Sequence, residues 1–332
     1  MQFNASSWRG VLVTTLLGVA AIGHAATQTS DIELQRDVPF ALHDGVSIKG
    51  DLYTPKAPGK YPALVALHGG GWQVGSSKEY QYWGPYLAKR GYVVFAINYR
   101  LSHDGIKMYP EAVHDTRAAV QFLRSRGEAL KIDSNRMGLI GDSAGGHLCS
   151  LVALAGDKPP FVGAYPDDPY SHVTTRVNVC VSVYGAYDMA IGWNLALRTR
   201  PLDNPAEKFL GVSLIENRQI YFEASPISYA TRDKNMPPVV VPGDSRKACS
   251  GSGAESATCS QPSFLLAWGT EDETVEMGTD AFLLALQQAG FFTRTVILTG
   301  APHFWMGDPI EEPGSFTGFL APRLLRFLEA RL

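Results

Sequence analysis

Leu139-Ile140-Gly141-Asp142-Ser143-Ala144-Gly145-Gly146 decides how this chain folds. The stretch follows an apolar run that begins at Met137, and a helical pattern then extends from Ala144 to Ala155. It reads Gly-x-Ser-x-Gly between a strand and a helix. That is the pattern of a nucleophile elbow, in which a serine hydroxyl is exposed on a very sharp turn. The turn brings the backbone on either side of the serine nearly into contact, so Gly141 and Gly145 leave room that a side chain would fill. Ser143 itself is expected in a strained conformation, with the N–H of Ala144 beside a reacting carbonyl. Gly-x-Ser-x-Gly alone is common in a glycine-rich chain. The strand before it and the helix after it make it specific.

The 332 residues are 45% hydrophobic and 18% charged, which suits one large α/β domain better than two small ones. A net charge of −3 gives no basic surface for nucleic acid or an anionic membrane. Arg9 precedes an apolar stretch over 11–22, and Gly23-His24-Ala25 supplies the small residues of a cleavage site. Residues 1–25 therefore read as a secretory signal peptide, cut after Ala25, with residues 26–332 as a single domain. The apolar stretch falls short of the about 20 residues a membrane span needs, so no stable anchor is expected after cleavage. The protein is expected in the periplasm or outside the cell. Cys149 and Cys180 fall in apolar surroundings and read as buried thiols. Cys249 and Cys259 bracket a polar Ser/Gly loop, and in an exported protein that pair predicts a disulfide. Zinc would need further ligands there, so no metal site is expected.

Outward from the elbow, residues 38–43 and 46–53 alternate across Asp44-Gly45, a hairpin signal. The apolar runs 63–67, 92–97, 177–184, 264–268 and 293–298 read as strands, most of them buried. Helices are predicted over 76–89, 111–126, 144–155, 279–289 and 316–331, with shorter pieces at 205–210 and 216–222 in an otherwise irregular 185–235. Strands alternating with helices predict a mostly parallel sheet covered by helices on both faces.

A serine hydroxyl needs a base that a third group orients, and after a nucleophile elbow the chain order is serine, acid, histidine. Only His147, His172 and His303 follow Ser143. His147 lies one turn along the elbow helix, pointing away from the hydroxyl, and His172 precedes any suitable acid. His303, after the last strand, is the expected base. The strand before it ends in Gly269-Thr270-Glu271-Asp272-Glu273, three carboxylates of which one at most orients the base. Upstream, His68-Gly69-Gly70-Gly71 follows the strand at 63–67 and is of the oxyanion-hole type, with the N–H groups of Gly70 and Gly71 joining that of Ala144. No Lys with Ser/Thr follows, as a phosphate loop would require.

With these motifs in place the chain resembles serine esterases of the α/β-hydrolase superfamily, in the hormone-sensitive-lipase-like and bacterial feruloyl- and acetyl-esterase-like branch. The resemblance rests on His68-Gly-Gly-Gly-Trp72, Tyr99-Arg100-Leu101, Gly141-Asp-Ser-Ala-Gly-Gly146, Gly269-x-x-Asp272-x-x-Val275 and the His303 loop. It implies an α/β-hydrolase fold with a small cap at about 185–235, and Asp272, ahead of Glu271, as the acid. It also implies that Arg100 pairs with Asp115 in a structural role. Trp72, Tyr187, Trp193 and Trp305 are the expected substrate contacts. The segment 239–263, between Pro237-Pro238 and the acid strand, departs from the family pattern and reads as a surface insert clipped by Cys249–Cys259.

The reading is an exported carboxylic-ester hydrolase without cofactor, using Ser143, His303 and Asp272 and forming an acyl-enzyme. Small-molecule or polysaccharide-linked aryl, acetyl or feruloyl esters are the expected substrates. An amidase such as an arylformamidase would use the same site. A non-catalytic binding protein on the same fold is the reading from a different class, but such proteins usually lose a member of the triad.

Overall fold

Alternation along the first strands folds back at Asp44-Gly45, where both residues have positive φ, 51° and 78°. This is the type I′ geometry whose twist suits an antiparallel pair. The turn joins β1 (Ile32–His43) to β2 (Val46–Pro55) in the computed structural model of the chain, which describes residues 31–103, 105–232, 261–276 and 278–332. The expected signal segment, the greater part of the 239–263 insert, and Cys249 and Cys259 lie outside the described residues. Asp31–Leu332 forms one compact unit.

The further strands are β3 (Tyr61–Leu67), β4 (Val93–Ile97), β5 (Ile132–Asp142), β6 (Val179–Val183), β7 (Ser263–Gly269) and β8 (Thr293–Leu298). Their order is β1-β2-β4-β3-β5-β6-β7-β8. β2 meets β4 antiparallel, and every pairing from β4 onward is parallel. β3, β4 and β6 carry continuous apolar or small residues because helices cover both faces of the sheet. All the parallel strands run the same way, so the loops that leave them at Leu67, Asp142, Val183, Gly269 and Leu298 share one edge.

The helices are α1 (Trp83–Ala88), α2 (Glu111–Ser125), α3 (Ala144–Ala155), α4 (Met189–Thr199), α5 (Pro205–Leu210), α6 (Arg218–Glu223), α7 (Thr279–Gln288) and α8 (Phe316–Arg331). The single helix predicted over 76–89 is instead a 3₁₀ turn, Ser77–Tyr80, followed by α1. Pro85 is the cause. It lacks an N–H, and its ring meets the carbonyl four residues earlier, so no α-helix runs into it from Ser76. α4 lies within the segment expected to be irregular. Its start is set by Asp188, whose carboxylate accepts the N–H groups of Ala190 and Ile191 at 2.9 and 3.1 Å.

Candidate active site

β5 ends at Asp142 and α3 begins at Ala144, so Ser143 alone turns the chain, at φ 50° and ψ −117°. Few side chains are held in that region, and the surroundings have to enforce it. A Cβ on Gly141 would stand 2.3 Å from the Gly145 oxygen, and one on Gly145 would stand 2.0 Å from the Leu67 oxygen. Both positions exclude a side chain. The second contact also presses the loop after β3 against the elbow, and a Cβ on Gly69 would be 3.3 Å from that of Ser143.

His303 Nε2 lies 2.9 Å from Ser143 Oγ, and His303 Nδ1 lies 2.8 Å from Asp272 Oδ2. With the Nδ1–H donated to the carboxylate, Nε2 has its lone pair toward the hydroxyl and can take that proton. The loops that carry the two groups are bonded to each other. Thr270 N–H donates to Leu298 O, and Glu271 N–H to Ala301 O, both at 3.0 Å. Of the three neighbouring acids, Asp272 meets the imidazole, while Glu271 and Glu273 are exposed. Burial opposes the charge on Asp272. Hydrogen bonds from His303 and Thr274 outweigh it and hold the carboxyl below its usual range.

Thr274 is a participant that motif reading passes over. Its N–H and Oγ1–H both donate to Asp272 Oδ1, at 2.9 and 2.6 Å, and its Oγ1 lies 2.9 Å from His303 Nδ1. The first bond makes an Asx-type turn, and an Asp followed two residues later by Thr is its available sequence signal. Asp142 is a second such residue. Burial and nearby Glu79 raise its carboxyl to about 7, against hydrogen bonds from Tyr80 and from the backbone of Asp142 and Gly69. The acid behind the nucleophile is thus poised near neutrality and touches the glycine loop.

The loop after β3 turns through Gly70 at φ 107° and Gly71 at φ 59°. A Cβ on Gly70 would lie 2.1 Å from Val74 O, so glycine is required there. Neither Gly70 nor Gly71 has its N–H in a hydrogen bond within the described residues, and Ala144 opens a helix whose first N–H groups lack intrahelical partners. These are the three donors expected from the motif. His68 is wholly buried, donates Nδ1–H to Gly69 O at 2.7 Å and is kept neutral by burial, which lowers it to about 4.

The expected substrate contacts, Trp72, Tyr187, Trp193 and Trp305, are all buried. Trp72 is a strut: its Nε1–H donates to His147 Nδ1 at 3.1 Å, and its ring stacks on Phe209 of α5. His147 in turn donates Nε2–H to Ala224 O at 2.7 Å, so it serves the packing of α3 against the end of α6 and is turned from the hydroxyl. Tyr187 stacks on Phe282, with its hydroxyl 2.9 Å from Ser182 Oγ. Trp305 packs edge-on against Tyr184. The exposed aromatic beside the site is Phe304, 70% exposed and edge-to-face with the His303 ring at 4.2 Å.

Arg100 and Asp115 pair as the resemblance implies, with Nη2 2.8 Å from Oδ1. The pair is part of a larger cluster. His43 Nδ1 lies 2.7 Å from Asp115 Oδ1, and its Nε2 lies 2.7 Å from Asp168 Oδ2. Among the described residues no group of His, Cys, Asp and Glu is placed to hold a metal ion. No described helix is long and apolar enough to cross a membrane.

The BD-FAE family profile matches residues 51–249, more than half of the chain. The chain belongs to the BD-FAE family. Its relatives include a probable carboxylic ester hydrolase, LipM, of Mycobacterium tuberculosis, 30% identical over 186 residues, 55% of this chain and 40% of the relative. Esterase LipC of the same organism is 30% identical over 217 residues, 64% of this chain and 50% of the relative. The chain thus spans about half the length of the relatives it matches. The propionate-bound esterase Est2 of Thermogutta terrifontis superposes with a TM-score of 0.63 at 23% identity, covering 91% of this chain and 96% of that one. At that identity the likeness speaks to the fold. The BD-FAE match contains the glycine loop and Ser143 but ends before Asp272 and His303. What joins those two to this BD-FAE protein's serine is the hydrogen-bonded chain itself.

Proposed function

We propose that this BD-FAE protein is an exported serine carboxylic-ester hydrolase. The observation that carries the reading is the unbroken chain from Ser143 Oγ through His303 to Asp272. Ser143 attacks the ester carbonyl as His303 Nε2 takes its proton, and the carbonyl π pair moves onto oxygen. The N–H groups of Gly70, Gly71 and Ala144 receive that oxyanion; each such donor typically supplies about 3 kcal/mol to the transition state. The tetrahedral species collapses by breaking the bond to the alcohol oxygen, which leaves with the proton from His303. Water, activated by the same imidazole, then releases the acid and restores Ser143. Asp272 fixes the tautomer and stabilises the imidazolium.

Esterases among its relatives support a small ester as substrate, with acetyl, aryl and feruloyl esters as the class proposed. The leader-like residues 1–25 support export. The test is turnover of p-nitrophenyl esters from C2 to C12 and of methyl ferulate, with labelling by a fluorophosphonate probe. Wild type should turn over the short esters and take up the probe on Ser143. Ser143→Ala should remain folded with kcat lower by several powers of ten and no label. Retention of a tenth of the activity in that variant would overturn the assignment.

A further inference from the structure

The hydrolytic site leaves one polar cavity unexplained. α2 is buried along most of its length, and a helix so placed ordinarily turns apolar side chains inward. Instead His114, Arg117 and Gln121 recur at i, i+3 and i+7, all three are buried, and all line a cavity of about 230 Å³. Asp168 and His172, from the loop between α3 and β6, complete the part of the wall that matters here. None of these residues belongs to the Ser143 chain.

Hydrogen-bonding capacity in the cavity is only partly used. Arg117 donates Nε–H to Gly156 O at 2.6 Å, and the described residues provide no acceptor for its two terminal nitrogens. Neighbouring Asp157 is engaged by Thr174 and Thr175. His114 is 5% exposed, yet neither ring nitrogen has a partner among the described residues, and Nδ1 is wholly buried. Burial holds that imidazole neutral, lowering it to about 4, so one nitrogen is a donor in want of an acceptor. Native interiors rarely leave such groups unpaired.

The walls hold their shape independently of any occupant. Gln121 Nε2 donates to the carbonyls of Ser171 and Val173 at 3.2 and 2.8 Å, tying the loop to α2. Asp168 is held by His43, and the Tyr165 hydroxyl donates to Asp44 at 2.6 Å. The volume is below the roughly 300–1,000 Å³ of drug-sized sites, which suits a compact ligand.

We propose that this cavity is a binding site for a small oxyanion, a carboxylate or phosphoryl group on a compact molecule. Arg117 faces the charge, and His172 and His114 add imidazole donors. Asp168, its charge shared with His43, and Gln121 Oε1 accept from the ligand's hydroxyl groups.

Calorimetric titration of the whole protein with sodium phosphate, sodium D-glucuronate and glucose, at matched ionic strength in chloride, tests this. Saturable binding is expected for at least one of the two anions and not for glucose. The tighter anion identifies the group as phosphoryl or carboxylate. Arg117→Gln and His172→Ala should each raise Kd about tenfold or more, as loss of a charge-assisted bond would. His172 is exposed and makes no hydrogen bond among the described residues, so its variant decides the matter should Arg117→Gln fail to fold. Absence of saturable anion binding to the wild type would overturn the proposal, as would binding that neither substitution weakens. Glucose binding as tightly as glucuronate would overturn the anionic class.

Discussion

Thr274 determines how firmly Asp272 is aimed. With both donors of Thr274 on Oδ1, the other oxygen faces His303 in one orientation. Thr274→Val keeps the backbone bond and loses the hydroxyl one. A hydrogen bond to a charged group contributes about 1.5–3 kcal/mol, so kcat should fall about tenfold or more with little change in KM. Asp272→Asn should cost roughly 10⁴-fold through the wrong imidazole tautomer. Glu271→Gln, at an exposed side chain, should stay within about threefold; steady-state kinetics on p-nitrophenyl acetate would separate the three. Asp142 gives a pH signature of its own. Its folded value of about 7 lies above the ordinary 3.8. The carboxyl therefore contributes stability that is fully present below about pH 3.8 and is lost as pH rises through about 7. Asp142→Asn cannot ionise. Its unfolding free energy should gain on the wild type between pH 5 and 8.5, by an amount on the order of 3 kcal/mol. Parallel curves from chemical denaturation across that range would contradict a buried, neutralised acid.

Among the elements, the buried strands, α2, α3 and α8 were legible because apolar periodicity and burial agree there. Pro85 broke a helix whose pattern was otherwise helical, since a missing N–H overrides periodicity. α4 escaped because its apolar residues do not form a clean stripe, although Asp188 is a regular N-cap. Asp188→Ala should cost about 1 kcal/mol of stability. The proposed triad was read from chain order and motif, because each member follows a parallel strand. The packing of the expected substrate contacts was not. An aromatic residue in the cap segment reads the same whether it faces solvent or core, and Tyr187 and Trp193 face the core. Only packing separates those cases. Asp115 links elements that are far apart in the chain, accepting from the Arg100 backbone N–H at 2.9 Å and from its guanidinium, and bonding His43 at the end of β1. Both partners are largely buried. Asp115→Asn should therefore destabilise by about 3–5 kcal/mol, read as a lower denaturant midpoint at unchanged m-value.

Over the whole molecule, the parts of the site come from distant stretches of chain. Ser143 and His303 are separated by 160 positions, and Trp83 Nε1–H donates to Met306 O across 223. Chains whose contacts are this far apart in sequence fold slowly, because loop closure is costly before the contacts that reward it exist. The elbow strand sits at the middle of the sheet, yet its serine acquires a base only when β8 has docked at the edge. On the proposed reading, the serine is made well before its base and has no partner to take its proton until the His303 loop has emerged and docked. On refolding from denaturant, ester turnover should return with a lag and no faster than the slowest change in tryptophan fluorescence. A chain ending at residue 292 should show none, whatever secondary structure it recovers by circular dichroism.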